Sequence, residues 1–170
     1  VYRPDTVLTF GITAPTGRAP YGIDWARPKG SADDAGDGSF AVPVKQPTGN
    51  GLWQATVGVS AVKTLDPAIV FANLGYVHSF GRRFGDLDTS PDTRTPGELR
   101  LGGSYYLGAG VAFAFNERTS LSLSFSDRIN TKAQVRYPGK RWSSVVGSQA
   151  NAFTFNFGLT YALTQHTTLV

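Results

Sequence analysis

The sequence predicts an all-β fold. More specifically, it predicts an up-and-down antiparallel transmembrane β-barrel of the outer-membrane type, with residues 1–170 as one domain. Three observations carry this expectation. Long segments alternate apolar and small polar side chains with a period of two, long and short connections alternate between them, and the composition is poor in charge without being greasy on average. Charged residues make up 16% of the chain, against roughly 25% in typical soluble domains, while glycine numbers 20 and aromatics reach 12%. Mean hydropathy is −0.16, too polar for a helical membrane protein, and no apolar run approaches the ~20 residues that a membrane helix needs. Alternation reconciles these facts, because a strand that is apolar on one face only averages to near neutrality.

The segments follow in chain order. Leu8, Phe10, Ile12 and Ala14 oppose Val7, Thr9, Gly11 and Thr13. Trp53, Ala55, Val57, Val59 and Ala61 oppose Gln54, Thr56, Gly58 and Ser60. Segment 68–80 alternates least cleanly; Val70, Ala72, Leu74, Tyr76 and Phe80 are assigned outward, which leaves Phe71 and Val77 inward. In 99–115, Leu101, Tyr105, Leu107, Val111, Phe113 and Phe115 oppose Arg100, Gly102, Ser104, Tyr106, Gly108, Gly110 and Ala112.

Segment 119–137 is the clearest. Every even position is polar, from Ser120, Ser122, Ser124 and Ser126 through Arg128, Asn130 and Lys132 to Gln134 and Arg136. Among the odd positions between Leu121 and Tyr137 only Asp127 and Thr131 are polar. A helix would scramble both sets, so a strand is required. At about 3.3 Å per residue such a strand is roughly 60 Å long, and it overshoots an apolar band ~25 Å tall even when tilted by ~45°. Asp127 is therefore expected where the lipid ends. Finally, Phe153, Phe155, Phe157, Leu159, Tyr161 and Leu163 oppose Thr154, Asn156, Gly158, Thr160 and Ala162, and 167–170 starts a seventh strand.

Connections 17–50, 82–98 and 138–150 are long and are expected to be extracellular. Leu65-Asp66-Pro67, Asn116-Glu117-Arg118 and Thr164-Gln165-His166 are tight and are expected to be periplasmic turns. Phe115 and Thr119 share the outward set, so the hairpin between them needs an odd loop, and three residues supply it. Aromatics near the strand ends suit two girdles: Trp53, Tyr76, Phe80, Tyr137 and Phe153 on the loop side, Phe113, Phe115 and Tyr161 on the turn side. Single-chain bacterial barrels have an even number of strands, eight or more. Six strands and the start of a seventh therefore predict that residues 1–170 form part of a larger barrel. The opening Val1-Tyr2-Arg3-Pro4-Asp5 leads almost directly into a strand, as expected of a mature or trimmed product.

The stretch Thr6-Val7-Leu8-Thr9-Phe10-Gly11-Ile12-Thr13-Ala14-Pro15-Thr16-Gly17 and the region 51–80, with Ala61-Val62-Lys63-Thr64-Leu65-Asp66-Pro67-Ala68 at its centre, carry a resemblance. They resemble the outer-membrane transporter family associated with phenol-degradation (meta-pathway) operons, which includes the Fap-type pores that export functional-amyloid subunits. The matching features are the APTG step that closes a strand and the KTxDPA turn, and they cover roughly half the chain. The resemblance implies a barrel of about a dozen strands in a Gram-negative outer membrane, compatible with a homotrimer, acting as a secretion or diffusion pore.

The chemistry expected of the residues themselves is that of a pore lining. Ser120, Ser122, Ser124, Ser126, Arg128, Asn130 and Lys132 form one row, joined by Arg100, Tyr106 and Asn156. Hydroxyls at mid-membrane with cations toward the outer mouth would favour polar or anionic solutes. The plainer alternative is a lumen filled by these groups bonded to a plug or to opposite strands; the inward glycines and serines favour a wide lumen, open or plugged. The expected partners are membrane lipid and a transported solute or unfolded polypeptide.

Other functions find little support. The net charge is +4 and the pI about 9.5, but the basic residues are scattered and no nucleic-acid fingerprint is present. The chain has no Cys and two His, so no thiolate site, metal centre or cofactor is expected. A hydrolase needs a serine beside a histidine, whereas His78 is expected outward opposite Trp53 or Ala55, as a girdle residue; no catalytic residue is assigned. His166 falls in a turn. Asp33, Asp34 and Asp37 before Gly38 lack the glutamate that completes a calcium loop. Gly108-Ala109-Gly110 is half a nucleotide motif set inside a strand. A structural or adhesion barrel acting through its long loops remains a further reading.

Overall fold

A computed structural model describes residues 3–26, 41–88 and 90–162, together with the backbone of 168–169. The described residues are all-β, without a helix. The elements are β1 (Asp5–Thr13), β2 (Trp25–Ala26), β3 (Val42–Pro43), β4 (Gln54–Leu65), β5 (Ala68–Ser79), β6 (Arg82–Phe84), β7 (Gly97–Arg100), β8 (Ser104–Ala114), β9 (Thr119–Asn130), β10 (Gln134–Arg136), β11 (Ser143–Ser144), β12 (Ala150–Ala162) and β13 (Thr168–Leu169). A seven-stranded antiparallel sheet runs β1-β4-β5-β8-β9-β12-β13, each strand beside its predecessor among the long ones. A second sheet of four short strands runs β11-β10-β7-β6, and β2 pairs with β3. The large sheet is open: β1 and β13 each keep a free edge among the described residues, and no closed barrel forms. The seven strands and their up-and-down order are as expected; closure is not observed.

The register assigns faces that the sequence alone leaves ambiguous. Because the period is two, pairing Leu74 with Val59 and Leu107 places all three on one face. Tyr76 pairs with Val57 and Tyr105 on the same side, which settles the uncertain segment 68–80 as assigned. This apolar face is uncovered: Phe10 is 73% exposed, Ile12 79% and Phe157 66%. Among the described residues the buried apolar side chains are Leu52, which is fully buried, Leu99 and Ala133, all in or beside the small sheet at the loop end. The large sheet therefore has no core of its own.

The sheet is also staggered. Leu65 pairs with Ala68, so the first turn is Asp66-Pro67, a cis peptide. Phe113 is level with Ala68, yet the next hairpin closes two residues further on, where the Phe115 amide donates to the Thr119 carbonyl. In that turn the Asn116 side-chain oxygen accepts from the amides of Arg118 and Thr119, the local bond that favours asparagine there. Tyr161 is level with Thr119, and the β12–β13 pair continues past it to Ala162 and Thr168. Two residues, about 6.6 Å, gained over two strand spacings, about 9.6 Å, correspond to a slope of ~35°. The apolar band slides accordingly, from Leu8, Phe10 and Ile12 on β1 to Phe153, Phe155 and Phe157 on β12, with Leu8 and Phe153 in one row.

Two expected strands are shorter than the sequence suggests. Segment 99–115 breaks at 101–103 and segment 119–137 at 131–133, and their outer parts join the small sheet as β7 and β10. The cause is the Gly102-Gly103 pair. A Cβ on Gly102 would sit 1.8 Å from the Thr131 carbonyl oxygen, so the two backbones approach more closely than a regular ladder allows. The Thr131 amide and hydroxyl both donate to the Gly103 carbonyl, at 2.9 and 3.1 Å. The register survives the break, since Ser104 pairs with Asn130 and Arg100 with Gln134, which keeps the two residue numbers summing alike. The long connections also hold short strands: 17–50 contains β2 and β3, 82–98 contains β6 and the start of β7, and 138–150 contains β11 and the first residue of β12.

Candidate functional site

The residues expected to line a pore gather on the polar face. Ser120, Ser122, Ser124, Ser126, Arg128 and Asn130 follow one another along β9. Asn156 pairs with Ser124, and Tyr106 pairs with Arg128. The Ser104 hydroxyl donates to the Asn130 side-chain oxygen, and the Ser122 hydroxyl reaches the Gly158 carbonyl at 3.4 Å. Arg100 and Lys132 stand apart from this row. Lys132 is exposed in the break at 131–133, and Arg100 lies on β7, its guanidinium 5.5 Å over the Trp142 ring. The break that the glycine pair imposes takes Lys132 out of the ladder and passes Arg100 to the small sheet, where it pairs with Gln134.

The register adds residues that the sequence did not single out. One row crosses the sheet as Thr9, Gly58, Gly75, Tyr106, Arg128 and Ala152. The Tyr106 ring lies over both glycines: a Cβ on Gly75 would stand 2.2 Å from its Cζ, and one on Gly58 2.4 Å from its hydroxyl oxygen. Two rows away, Phe71 covers Gly110, which it faces across the β5–β8 pair. Only pairing reveals such partners, because each glycine and its aromatic are far apart in the chain. The polar face is thus serine-rich on β9 but carries Val62, Ile69 and Phe71 on β4 and β5.

On the apolar face, Asp127 pairs with Leu107 and Phe153, and its Oδ1 is buried without a hydrogen-bond partner among the described residues. Beyond it the apolar set ends on β12, where Asn151 follows Phe153, but continues on β5 and β8 through Tyr76 and Tyr105. His78 pairs with Ala55, as expected, and sits among aromatics: its ring centroid is 5.0 Å from Phe80 and 6.2 Å from Tyr76. Its nearest polar contact is the Tyr76 hydroxyl at 3.3 Å, which offers no nucleophile of the serine type. Tyr76 stacks in turn on Tyr105 at 4.7 Å, so a belt of rings closes the loop end of this face. Phe113 and Phe115 meet edge to face at the turn end. Gly108 and Gly110 lie within β8, against Asn73 and Phe71. Asp33, Asp34, Asp37, Gly38, Leu163 and His166 lie outside the described residues.

At the loop end, the described residues of the small sheet bring several basic side chains together. Arg83, Glu98 and Arg136 form a row across β6, β7 and β10, with Glu98 and Arg136 ion-paired. Arg136 also sits 4.9 Å over the Trp142 ring, on which Arg100 stacks as well. Nearby, the Tyr21 ring packs on Phe84 at 4.9 Å, and burial raises its phenol above the ordinary value of 10.0. No protein-family model matches the chain.

Proposed function

We propose that the chain is the membrane-spanning part of a bacterial outer-membrane pore. In this reading it moves polar solutes or a secreted unfolded polypeptide, amyloid subunits among them, through a lumen lined by the β9 row. The carrying observation is a seven-stranded sheet with an exposed apolar face, no core among the described residues, and a stagger of two residues from the first hairpin to the second. A soluble sheet buries its apolar face, whereas a membrane barrel presents it to lipid and tilts its strands by ~35–45°. β4 and β5, 12 residues each, are about 40 Å long, so a tilt of ~40° lets them span ~30 Å, enough for an apolar band of ~25 Å. The free edges of β1 and β13 would then be paired by further strands, since unpaired backbone is not tolerated in lipid. The resemblance to the phenol-degradation-associated transporters agrees with the same architecture.

The test is conductance. Full-length protein in planar bilayers is expected to give discrete steps that favour anions, and Arg128→Glu to shift the preference toward cations. A silent protein, or a selectivity indifferent to Arg128→Glu, would count against the reading. The ordered loop layer favours one second reading, a barrel that acts through its loops. Deleting 17–50 would then abolish partner binding and leave conductance unchanged.

A further inference from the structure

The small sheet holds a cleft of about 410 Å³ whose charged lining is Arg83, Glu98, Arg136 and Lys140. Arg83 and Arg136 are the cross-strand partners of Glu98 on the two neighbouring strands, and the Arg136 guanidinium is ion-paired with its carboxylate. Lys140 is brought to the same cleft by the turn after β10, where Gly139 adopts φ +72° and the Lys140 amide bonds back to the Tyr137 carbonyl at 3.0 Å. Formal charges in the cleft are three positive and one negative, leaving two positive. Arg83 and Lys140 make no ion pair among the described residues. Asp24 and Asp86, acidic groups on the adjoining connections, line a different cavity with Tyr21 and Phe84.

Arg136 is the ordered member of this set. Glu98 holds one edge of its guanidinium and the Trp142 ring lies 4.9 Å beneath it, so its plane is fixed before any ligand arrives. A guanidinium has five donors in a rigid fork that matches the oxygens of a tetrahedral anion, and the Glu98 contact leaves part of that fork free. An excess of two positive charges suits a dianion better than a monocarboxylate, and charge-assisted bonds from arginine and lysine are the usual means of holding phosphate. We infer that this cleft is an anion site for a phosphate group, gripped by Arg83, Arg136 and Lys140, with Glu98 as the internal competitor that keeps Arg136 in place. The inference rests on the small sheet alone and is independent of the pore reading.

Pyrophosphate binding to the protein in neutral-detergent micelles at low ionic strength tests it, read by calorimetry and by tryptophan fluorescence. Saturable binding is expected, weakened at least tenfold in the double variant Arg83→Gln/Lys140→Gln, whose altered side chains are both exposed. Glu98→Gln removes the competing carboxylate and is expected to bind several-fold more tightly. Arg118→Gln, at the opposite end of the sheet, is expected to bind as the parent does. Far-ultraviolet circular dichroism of each variant separates a folding defect from a binding defect. A parallel arm uses phosphatidylcholine vesicles with and without phosphatidic acid; binding seen only there, with the same variant pattern, assigns the phosphate to a lipid headgroup. No saturable binding in either arm, an unaffected double variant, or an equal loss in Arg118→Gln would overturn the site.

Discussion

Tyr106 lies across Gly75, its neighbour on the adjacent strand, so closely that a methyl group at 75 would stand 2.2 Å from the ring. The glycine is there for the ring. Gly75→Ala is expected to displace Tyr106 and to lower stability by ~1–3 kcal/mol, the usual cost of overpacking. Urea unfolding in micelles reads this as a lower midpoint, and Gly75→Ala combined with Tyr106→Ala should cost less than the sum of the two. Strict additivity would mean that the two residues do not touch.

Asp127 has a buried Oδ1 without a hydrogen-bond partner among the described residues, between Leu107 and Phe153. Burying a polar atom unpaired costs ~1–3 kcal/mol. Asp127→Leu should recover part of this and raise the unfolding midpoint. A lower midpoint would show that the carboxylate has a partner beyond the described residues.

The chain has no cysteine, so single cysteines report the two faces of β12 without background. At 155 and 157 a label is expected to be reached by lipid-borne quenchers and shielded from water-soluble maleimides. At 154 and 156 the pattern should reverse. Equal accessibility at all four positions would contradict a sheet with one face in lipid.

Tyr21 is raised above the ordinary phenol value by burial, so the folded state holds this proton more tightly than the unfolded chain. The resulting stabilisation is fully present below pH 10.0 and is lost as pH rises through the folded value. The absorbance titration of the parent minus that of Tyr21→Phe should show one phenol ionising above 10.0. A difference curve centred at or below that value would refute the burial account.

Much of the fold was legible because a period of two is a local property. The β9 row from Ser120 to Asn130, the faces of β12 and the side of the sheet on which His78 lies all follow from counting residues along a strand, whereas the choice of Ala55 over Trp53 as its partner came from the register. The short connection 116–118 was legible for the same reason, as parity restricts how a hairpin closes. The breaks at 101–103 and 131–133 were not, because they arise where one backbone meets another, at Gly102 against Thr131. Parity placed Arg100 and Lys132 in the row; at that contact Lys132 leaves the ladder and Arg100 passes to the small sheet opposite Gln134.

The sequence by itself determined which side chains share a face, since alternation is set by the geometry of the peptide unit. Tertiary structure alone decided what lies beside what on that face. Register joined Gly58, Gly75, Tyr106 and Arg128 into one row, staggered the hairpins, and set Arg83, Glu98 and Arg136 side by side. Pairing between strands depends on residues far apart in the chain, which no local pattern encodes.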